Sequence, residues 1–194
     1  MDIVAQCLIQ RRDSVRLLLD RGANTTAEDK DGWTPSHLAS CSGRVEIVRL
    51  RIDRGTNADS KNRDGRTPFH EVSSQGRTVI TRLLLDRGAD ANNADKNGRT
   101  PLHKVSSQGR TEIMHLLLDW GADANTEDKD RWTPLHLASF KSEYEAVRLL
   151  LDYGASADAK DKEGRTPLQI TSGWKQKRIV QMLTSMVRKD NEEL

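Results

Sequence analysis

Thr133-Pro134-Leu135-His136-Leu137-Ala138 decides the fold of this chain, because versions of it return at a fixed spacing. The other versions begin at Thr34, Thr67, Thr100 and Thr166, so each starts 33 residues after the last or at a multiple of that step. Glycines follow the same step, at Gly22, Gly55, Gly88, Gly121 and Gly154. A chain that repeats one unit every 20 to 50 residues or so is predicted to be a solenoid, in which each unit packs on its neighbours.

The motif within each period resembles that of the ankyrin repeat family. A period of 33 residues carries Thr-Pro-Leu-His-x-Ala, then Gly-Arg, a Leu triplet and, at residues 121–125, Gly-Ala-Asp-Ala-Asn. The resemblance implies a turn, two antiparallel helices and a protruding finger in each unit. We therefore expect an all-α ankyrin-repeat solenoid of about six helix-turn-helix units with β-hairpin or turn fingers. The family resemblance also implies a protein partner, bound on the concave surface of fingers and inner helices.

The repeat step predicts the unit boundaries of a single domain that covers residues 1–194. The first unit lacks the finger and the Thr-Pro motif, which makes it either a degenerate cap or the start of a truncated array. The last unit ends in a charged tail, which is typical of a polar cap. The predicted units are residues 1–30 (the N-terminal cap), 31–63, 64–96, 97–129, 130–162 and 163–194 (the C-terminal cap).

The composition argues against several classes of partner. Lys and Arg total 31 against 29 Asp and Glu, so no excess of positive charge favours nucleic acid or an anionic membrane. Summed over the predicted finger tips the charge alternates in sign, whereas duplex binding needs sustained positive charge. No apolar run is long enough for a membrane helix, and the N-terminus does not read as a signal peptide. We expect a monomeric intracellular protein of the cytoplasm, with the nucleus as the alternative.

Neither cysteines nor histidines predict a metal or catalytic site. Cys7 and Cys41 occupy non-equivalent slots of the repeat, which indicates ordinary thiols rather than a disulfide or a ligand set. The histidine of the motif recurs in one slot of successive units, too far apart for shared ligation of one ion. We interpret it as structural, with the repeated Thr and Pro starting the first helix. No catalytic residue, cofactor site or metal site is predicted.

Two units depart from the pattern at positions that should be buried or strained. Ser36 and Arg51 stand where other units carry leucine, which predicts an underfilled site and a guanidinium that must reach water or a partner. We expect the unit at residues 31–63 to be the softest complete one. In the unit at residues 130–162, Arg131 replaces the turn glycine and Ser142 replaces the glycine between the helices. Where the turn needs a positive φ, we expect Arg131 either to be strained or to reshape its finger.

The aromatic residues are concentrated late in the chain. Of eight, six fall between residues 120 and 174, and several stand in slots that are polar or charged in other units. Large aromatics and arginines in such slots are typical of interface hot spots. The competing interpretation is that they pack on neighbouring Lys and Arg stems or face a missing domain. The predicted protein-binding residues are Trp33, Arg66, Arg99, Trp120, Trp132, Phe140, Lys141, Tyr153 and Trp174.

The sequence thus favours a non-enzymatic module that binds a protein or peptide, with the surface weighted to the later units. The alternative is a structural spacer, or a fragment of a larger ankyrin-containing scaffold. An enzyme is disfavoured, because nearly every polar group recurs in every unit, whereas catalysis needs unlike groups that converge on one point.

Overall fold

The part of the chain that the structure describes consists of helices joined by turns and irregular segments. The computed structural model describes residues 12–171 and 177–192, with the backbone alone for residues 12 and 187–192. The chain forms two compact units, Met1–Lys96 and Asn97–Leu194. The described residues contain helices and turns but no strand, so the all-α prediction is confirmed. The helices of the first unit are α1 (Arg12–Asp20), α2 (Pro35–Cys41), α3 (Val45–Asp53), α4 (Pro68–Ser74) and α5 (Thr78–Asp86).

The second unit contains the same alternation of short and longer helices. Its helices are α6 (Pro101–Ser106), α7 (Thr111–Asp119), α8 (Pro134–Lys141), α9 (Tyr144–Asp152), α10 (Pro167–Ile170) and α11 (Lys177–Glu192).

Within each unit, like helices pack beside like. The first helices of successive repeats form one layer, in which α2 contacts α4, and α6 and α10 flank α8. The second helices form the other layer, in which α1, α3 and α5 follow one another, as do α7, α9 and α11. The core lies between the layers, where leucines such as Leu102, Leu117, Leu135 and Leu150 are fully buried.

The Thr-Pro-x-His sequence explains where each first helix begins. Thr133 takes an extended backbone conformation as the N-cap, and Pro134 fills the first helical position, where no N–H is needed. The Nδ1 atom of His136 accepts a hydrogen bond from the N–H of Thr133 at 3.1 Å. Its backbone N–H in turn donates to the Thr133 hydroxyl at 3.4 Å, which closes a capping box.

The fingers are turns held by an acidic or amide side chain. In the finger before α8, Oδ1 of Asp128 accepts from the N–H of Asp130 at 2.8 Å and of Trp132 at 2.9 Å. Successive fingers are joined by backbone bonds, such as that from Lys129 N–H to the carbonyl of Asn97 at 2.9 Å. The described fingers contain turns and no strand, so of the two expected forms, hairpin or turn, they take the turn.

Ser36 and Arg51, the two polar residues at core positions of the repeat at residues 31–63, are hydrogen-bonded to each other in the interior. Arg51 is only 1% exposed, and its guanidinium donates to Ser36 Oγ at 3.2 Å and to the Thr25 carbonyl at 2.9 Å. A cavity of about 10 Å3 remains beside Ser36, as the sequence predicts. Burial lowers the pKa of Arg51 to about 10, so the side chain stays charged at neutral pH. The guanidinium has therefore found partners rather than water.

The two residues that replace glycines in the repeat at residues 130–162 both take a positive φ. Arg131 has a φ of 60° and Ser142 a φ of 63°, in the left-handed region that glycine occupies at the equivalent turns. Ser142 serves as the C-cap of α8. The Arg131 side chain is held over its own finger by an ion pair with Glu127 at 3.1 Å.

Candidate protein-binding site

An aromatic stripe in the second unit is formed by one ring of the finger before α8 and two rings of α8 itself. His136 and Phe140 are four residues apart in α8, which places them on one face of the helix, and Trp132 lies in the finger just before its N-cap. The Trp132 and Phe140 ring centroids lie 5.5 Å apart and meet edge to face, at 72°. The Trp132 ring also lies 6.1 Å from that of His136. Edge-to-face packing holds the two aromatic rings as one rigid surface.

This surface is accessible and carries a cation at one end. Phe140 is 48% exposed, which is unusual for a phenylalanine, and Trp132 is half-buried. The ammonium of Lys141, the last residue of α8, lies 5.3 Å from the Phe140 ring centroid. A cation at this distance is attracted to the face of the ring. The aromatic stripe therefore ends in a positive charge held against it.

The stripe forms the floor of an open groove with a volume of about 550 Å3. The side walls come from the fingers on either side of α8, through the guanidinium-bearing residues Arg99 and Arg165. Leu137, which is only 8% exposed, completes the apolar floor. The full lining is Arg99, Asp130, Trp132, Leu137, Phe140, Lys141, Glu163 and Arg165.

The two arginines of the groove are fixed by buried finger carboxylates. Arg99 Nε donates to Oδ2 of Asp128 at 3.0 Å, and that carboxylate is 2% exposed. Arg165 reaches Asp161 Oδ2 at 2.7 Å. Burial alone would raise the pKa of Asp161, but the hydrogen bonds and charge of Arg165 outweigh it, so the pKa lies below its usual value. The arginines are therefore held in place, with their charges matched inside each finger.

Within the part of the chain that the structure describes, Lys141 is the groove cation without a carboxylate partner. Arg165 also reaches Glu163 at 3.0 Å, and Asp130 faces Lys162 at 3.6 Å. Among the residues that the structure describes, no carboxylate lies within ion-pair distance of the Lys141 ammonium. Counted over the described residues, the groove thus offers an incoming molecule the Lys141 ammonium as a positive charge without a carboxylate partner, beside an apolar floor.

The histidines hold this site together but take no chemical part in it. Because His136 Nδ1 accepts from a backbone N–H, its proton must sit on Nε2, which donates to the Arg165 carbonyl at 3.2 Å. His103 Nε2 donates in the same way to the Trp132 carbonyl at 3.0 Å. Burial lowers the pKa of His136, which favours the neutral ring that this arrangement needs. This agrees with the structural role expected from the sequence.

Trp120 and Tyr153, also predicted to bind, lie elsewhere on the second unit. They cap the C-terminal ends of the second helices α7 and α9, and neither lines the groove. The Tyr153 hydroxyl donates to Asp119, which raises its pKa, and its ring meets that of His115 edge to face at 6.1 Å. Trp120 is 47% exposed and Tyr153 40%. They form a separate aromatic patch on the layer of second helices.

The remaining predicted residues lie in the first unit or outside the described residues. Trp33 lies against His37, with ring centroids 5.6 Å apart. Arg66 forms an ion pair with Glu71 at 2.9 Å, and the Glu71 side chain is 9% exposed. Trp174 lies outside the residues that the structure describes.

Sequence reasoning missed four residues of the groove: Leu137, Asp130, Glu163 and Arg165. Arg165 could have been found, because it occupies the same finger slot as Arg66 and Arg99, which were predicted to bind. Leu137 could not, because a leucine in the helix motif is read as core. Leu137 reaches the groove floor with only a small part of its side chain, and how much of it is exposed depends on how α8 packs.

Other kinds of site find little support in the described part of the chain. It contains no group of three or more His, Cys, Asp or Glu residues placed to hold a metal ion. Burial raises the pKa of the Cys41 thiol to about 11, so it stays protonated at neutral pH. Cys7 lies outside the described residues. The helices of the described residues are all too short or too polar to cross a bilayer.

Comparison with protein families agrees with this architecture. The family described as "Ankyrin repeats (3 copies)" matches residues 50–128 and 121–192, and the family described as "Ankyrin repeat" matches residues 31–63. These matches cover most of the sequence, so the chain belongs to the ankyrin repeat family. Ankyrin repeats are generally modules for protein–protein interaction and are typically not enzymes. A search of curated proteins finds no match.

Proposed function

We propose that this chain is a non-enzymatic, intracellular recognition module that binds a protein or peptide in the groove on α8. The single observation that carries the proposal is the packed pair Trp132 and Phe140, exposed on a groove of about 550 Å3. Rigid aromatic rings contribute large contact area at a small entropy cost, which is why they dominate binding energy at interfaces. Partner binding would bury the exposed face of Phe140.

The matched charges on the groove walls support the same proposal. Arg99 and Arg165 are each held by a finger carboxylate that is nearly or fully buried. Both arginines line the groove, so less side-chain entropy is lost when a partner contacts them. A preorganised polar rim around an apolar floor is the usual anatomy of a protein interface.

The test compares two pairs of aromatic residues within the second unit. The chain and its variants are used as bait in an extract of the source organism, and captured proteins are quantified by mass spectrometry. The Trp132→Ala/Phe140→Ala variant is expected to lose a protein that the native chain retains. The matched control, Trp120→Ala/Tyr153→Ala, removes two aromatics from the other patch and should retain it. Circular dichroism first shows that both variants are folded.

A captured protein is then titrated against each purified variant. Loss of hot-spot aromatics should weaken the affinity at least about tenfold, and the control variant should bind within about twofold of the native chain. If the control variant loses binding and the groove variant keeps it, the site lies on the Trp120 and Tyr153 patch and the groove proposal is wrong.

A further inference from the structure

The chain contains two repeats with the same finger and different groove floors. Residues 28–31 and 127–130 both read Glu-Asp-Lys-Asp, and each finger is followed by a tryptophan packed on the motif histidine. One helical turn beyond that histidine, the repeat at residues 31–63 has Cys41 and Ser42, whereas the repeat at residues 130–162 has Phe140 and Lys141. The repeat at residues 130–162 therefore carries an aromatic ring and a cation next to each other, at positions where the repeat at residues 31–63 has neither.

The apolar half of this addition sets one requirement for a ligand. Trp132, Leu137 and Phe140 line the groove together, and ligand pockets of a few hundred Å3 accommodate compact apolar groups. The exposed Phe140 ring gains most from an aromatic or large aliphatic side chain, because such a group covers the ring and packs on the Trp132 edge. A segment that docks here therefore carries an apolar anchor.

The charged half sets a second requirement. The groove arginines are already paired with finger carboxylates, whereas Lys141 has no carboxylate within ion-pair distance among the described residues. Its ammonium is 5.3 Å from the Phe140 centroid, so a carboxylate that meets it lies beside the anchor. At the finger end of the groove, Asp130 is paired with Lys162 and Glu163 with Arg165, so neither sign of charge is in excess there. The charge pattern therefore has a direction, with the acidic group at the Lys141 end.

We infer that the groove takes an extended segment of a partner protein in which an aromatic or large aliphatic residue is followed, within two positions, by Asp or Glu. This inference rests on the proposed function and adds the chemistry of the partner. A chain-terminal carboxylate is usually held by a nest of backbone N–H groups, whereas the cation here is one side-chain ammonium, so the carboxylate is that of a side chain. A nucleic acid is disfavoured because the arginines of the groove are already paired with carboxylates, whereas a phosphate backbone needs sustained positive charge.

The test selects peptides without assuming a partner. A phage-displayed library of random dodecapeptides is panned on the native chain and, in parallel, on Phe140→Cys/Lys141→Ser. These two changes give the repeat at residues 130–162 the residues of the repeat at residues 31–63. Cys41 and Ser42 occupy the same two positions at the end of α2, so the end of such a helix can carry these residues. Enrichment on the native chain of an apolar residue followed by Asp or Glu, absent from the variant selection, supports the inference.

A selected peptide is then synthesised and measured by fluorescence polarisation. Replacing its Asp or Glu by the amide should weaken binding to the native chain about fivefold, in line with one partly exposed ion pair. The same replacement should have no effect on Lys141→Ser, and amidation of the peptide C-terminus should not matter. Lys141→Glu should bind the original peptide worse than Lys141→Ser does.

The outcomes separate the inference from the proposed function. If peptides lose binding on Trp132→Ala/Phe140→Ala but carry no acidic residue, the groove is a binding site and the inferred chemistry is wrong. If amidation of the C-terminus abolishes binding, the carboxylate comes from the chain end and the inference is also wrong. Peptides that bind the groove variants as well as the native chain, or no enrichment at all, contradict both.

Discussion

The repeat at residues 31–63, in the first unit, and the repeat at residues 130–162, in the second, share a finger and a helix cap but depart from the common pattern in different places. The earlier repeat keeps its turn glycines, Gly32 and Gly43, at positive φ, yet buries Arg51 in its core. The later repeat has the fully buried Leu150 in the same core slot, yet takes positive φ at two non-glycine residues. One repeat has a polar core with relaxed turns, and the other has an apolar core with strained turns.

This difference shows what the repeat tolerates and where new surface arises. Buried Arg51 is accommodated because Ser36 and the Thr25 carbonyl accept from it, so its departure is offset by specific partners. The strain at Arg131 and Ser142 is offset instead by the well-packed interior beneath them. The exposed aromatic surface lies on the repeat whose core is complete.

The largest predicted effect comes from moving the polar core residue into the later repeat. Leu150→Arg should lower the free energy of unfolding by about 3 to 5 kcal/mol, because a guanidinium would be buried against Leu135, without the hydroxyl that accepts from Arg51 in the earlier repeat. Urea unfolding followed by circular dichroism measures the loss. Adding Leu135→Ser supplies the hydroxyl that Ser36 supplies in the earlier repeat, and should recover part of it. A double variant as unstable as Leu150→Arg would show that the Ser36 hydroxyl is not what accommodates Arg51.

The reverse change should repair the earlier repeat. Ser36→Leu/Arg51→Leu should raise the free energy of unfolding by about 1 to 3 kcal/mol, because well-packed apolar residues replace a buried charge and fill the small cavity. Native-state hydrogen exchange locates the gain: amide protons of α3, Val45–Asp53, should exchange faster than those of α9 in the native chain and approach them in the variant. Loss of stability in the double variant would contradict the expectation that this unit is the softest.

Both repeats should weaken in the same way as the pH falls. Burial lowers the pKa of His37 and of His136 below the ordinary value of 6.5. Both rings therefore bind a proton more weakly in the folded state than in the unfolded state, so protonation favours unfolding. Their stabilisation is complete above about pH 6.5 and is lost as the pH falls from there through the folded-state pKa. Urea unfolding at a series of pH values between neutral and mildly acidic measures this loss.

A histidine replacement separates this titration from other acid effects. His136→Gln copies the cap made by Gln169, whose Oε1 accepts from Thr166 N–H at 2.8 Å. The variant should be less stable at neutral pH by about 1 to 2 kcal/mol, because the hydrogen bond to the Arg165 carbonyl is lost. Its stability should also fall less steeply below pH 6.5. An unchanged pH profile would show that His136 does not contribute to the acid loss.

The smallest predicted effects concern the strained turns. Arg131→Gly and Ser142→Gly should each raise the free energy of unfolding by roughly 0.5 to 1 kcal/mol, because glycine adopts a positive φ without steric cost. The ion pair that Arg131 loses is exposed and contributes little. Gly98→Ala is the matched opposite: its added Cβ would lie 3.0 Å from Lys129 N, so it should destabilise. Thermal unfolding measures these changes in stability. If all three variants were as stable as the native chain, backbone strain would not distinguish the two repeats.

The sequence predicts those features that depend on neighbouring residues. The Thr-Pro start of α8, the positive φ of Arg131 and the family itself all follow from local pattern and repeat spacing. The partners of Arg51 do not, because Ser36 and Thr25 are 15 and 26 residues away and meet it only through packing. Exposure of Phe140 could be predicted from its slot. That Lys141 alone among the groove cations lacks a described carboxylate partner could not, because it depends on which arginine each finger carboxylate holds.

The histidine bonds described above also explain how the groove walls can vary. His37, His103 and His136 each donate to a backbone carbonyl of the next finger, and the accepting residue is Arg66, Trp132 or Arg165. The bond is the same whether the side chain is aromatic or cationic, so that slot is decoupled from folding. In the genetic code a single base change separates Trp from Arg. Point mutation can therefore exchange an aromatic wall for a charged one while the repeat itself still folds, which lets binding preference diverge after a repeat is duplicated.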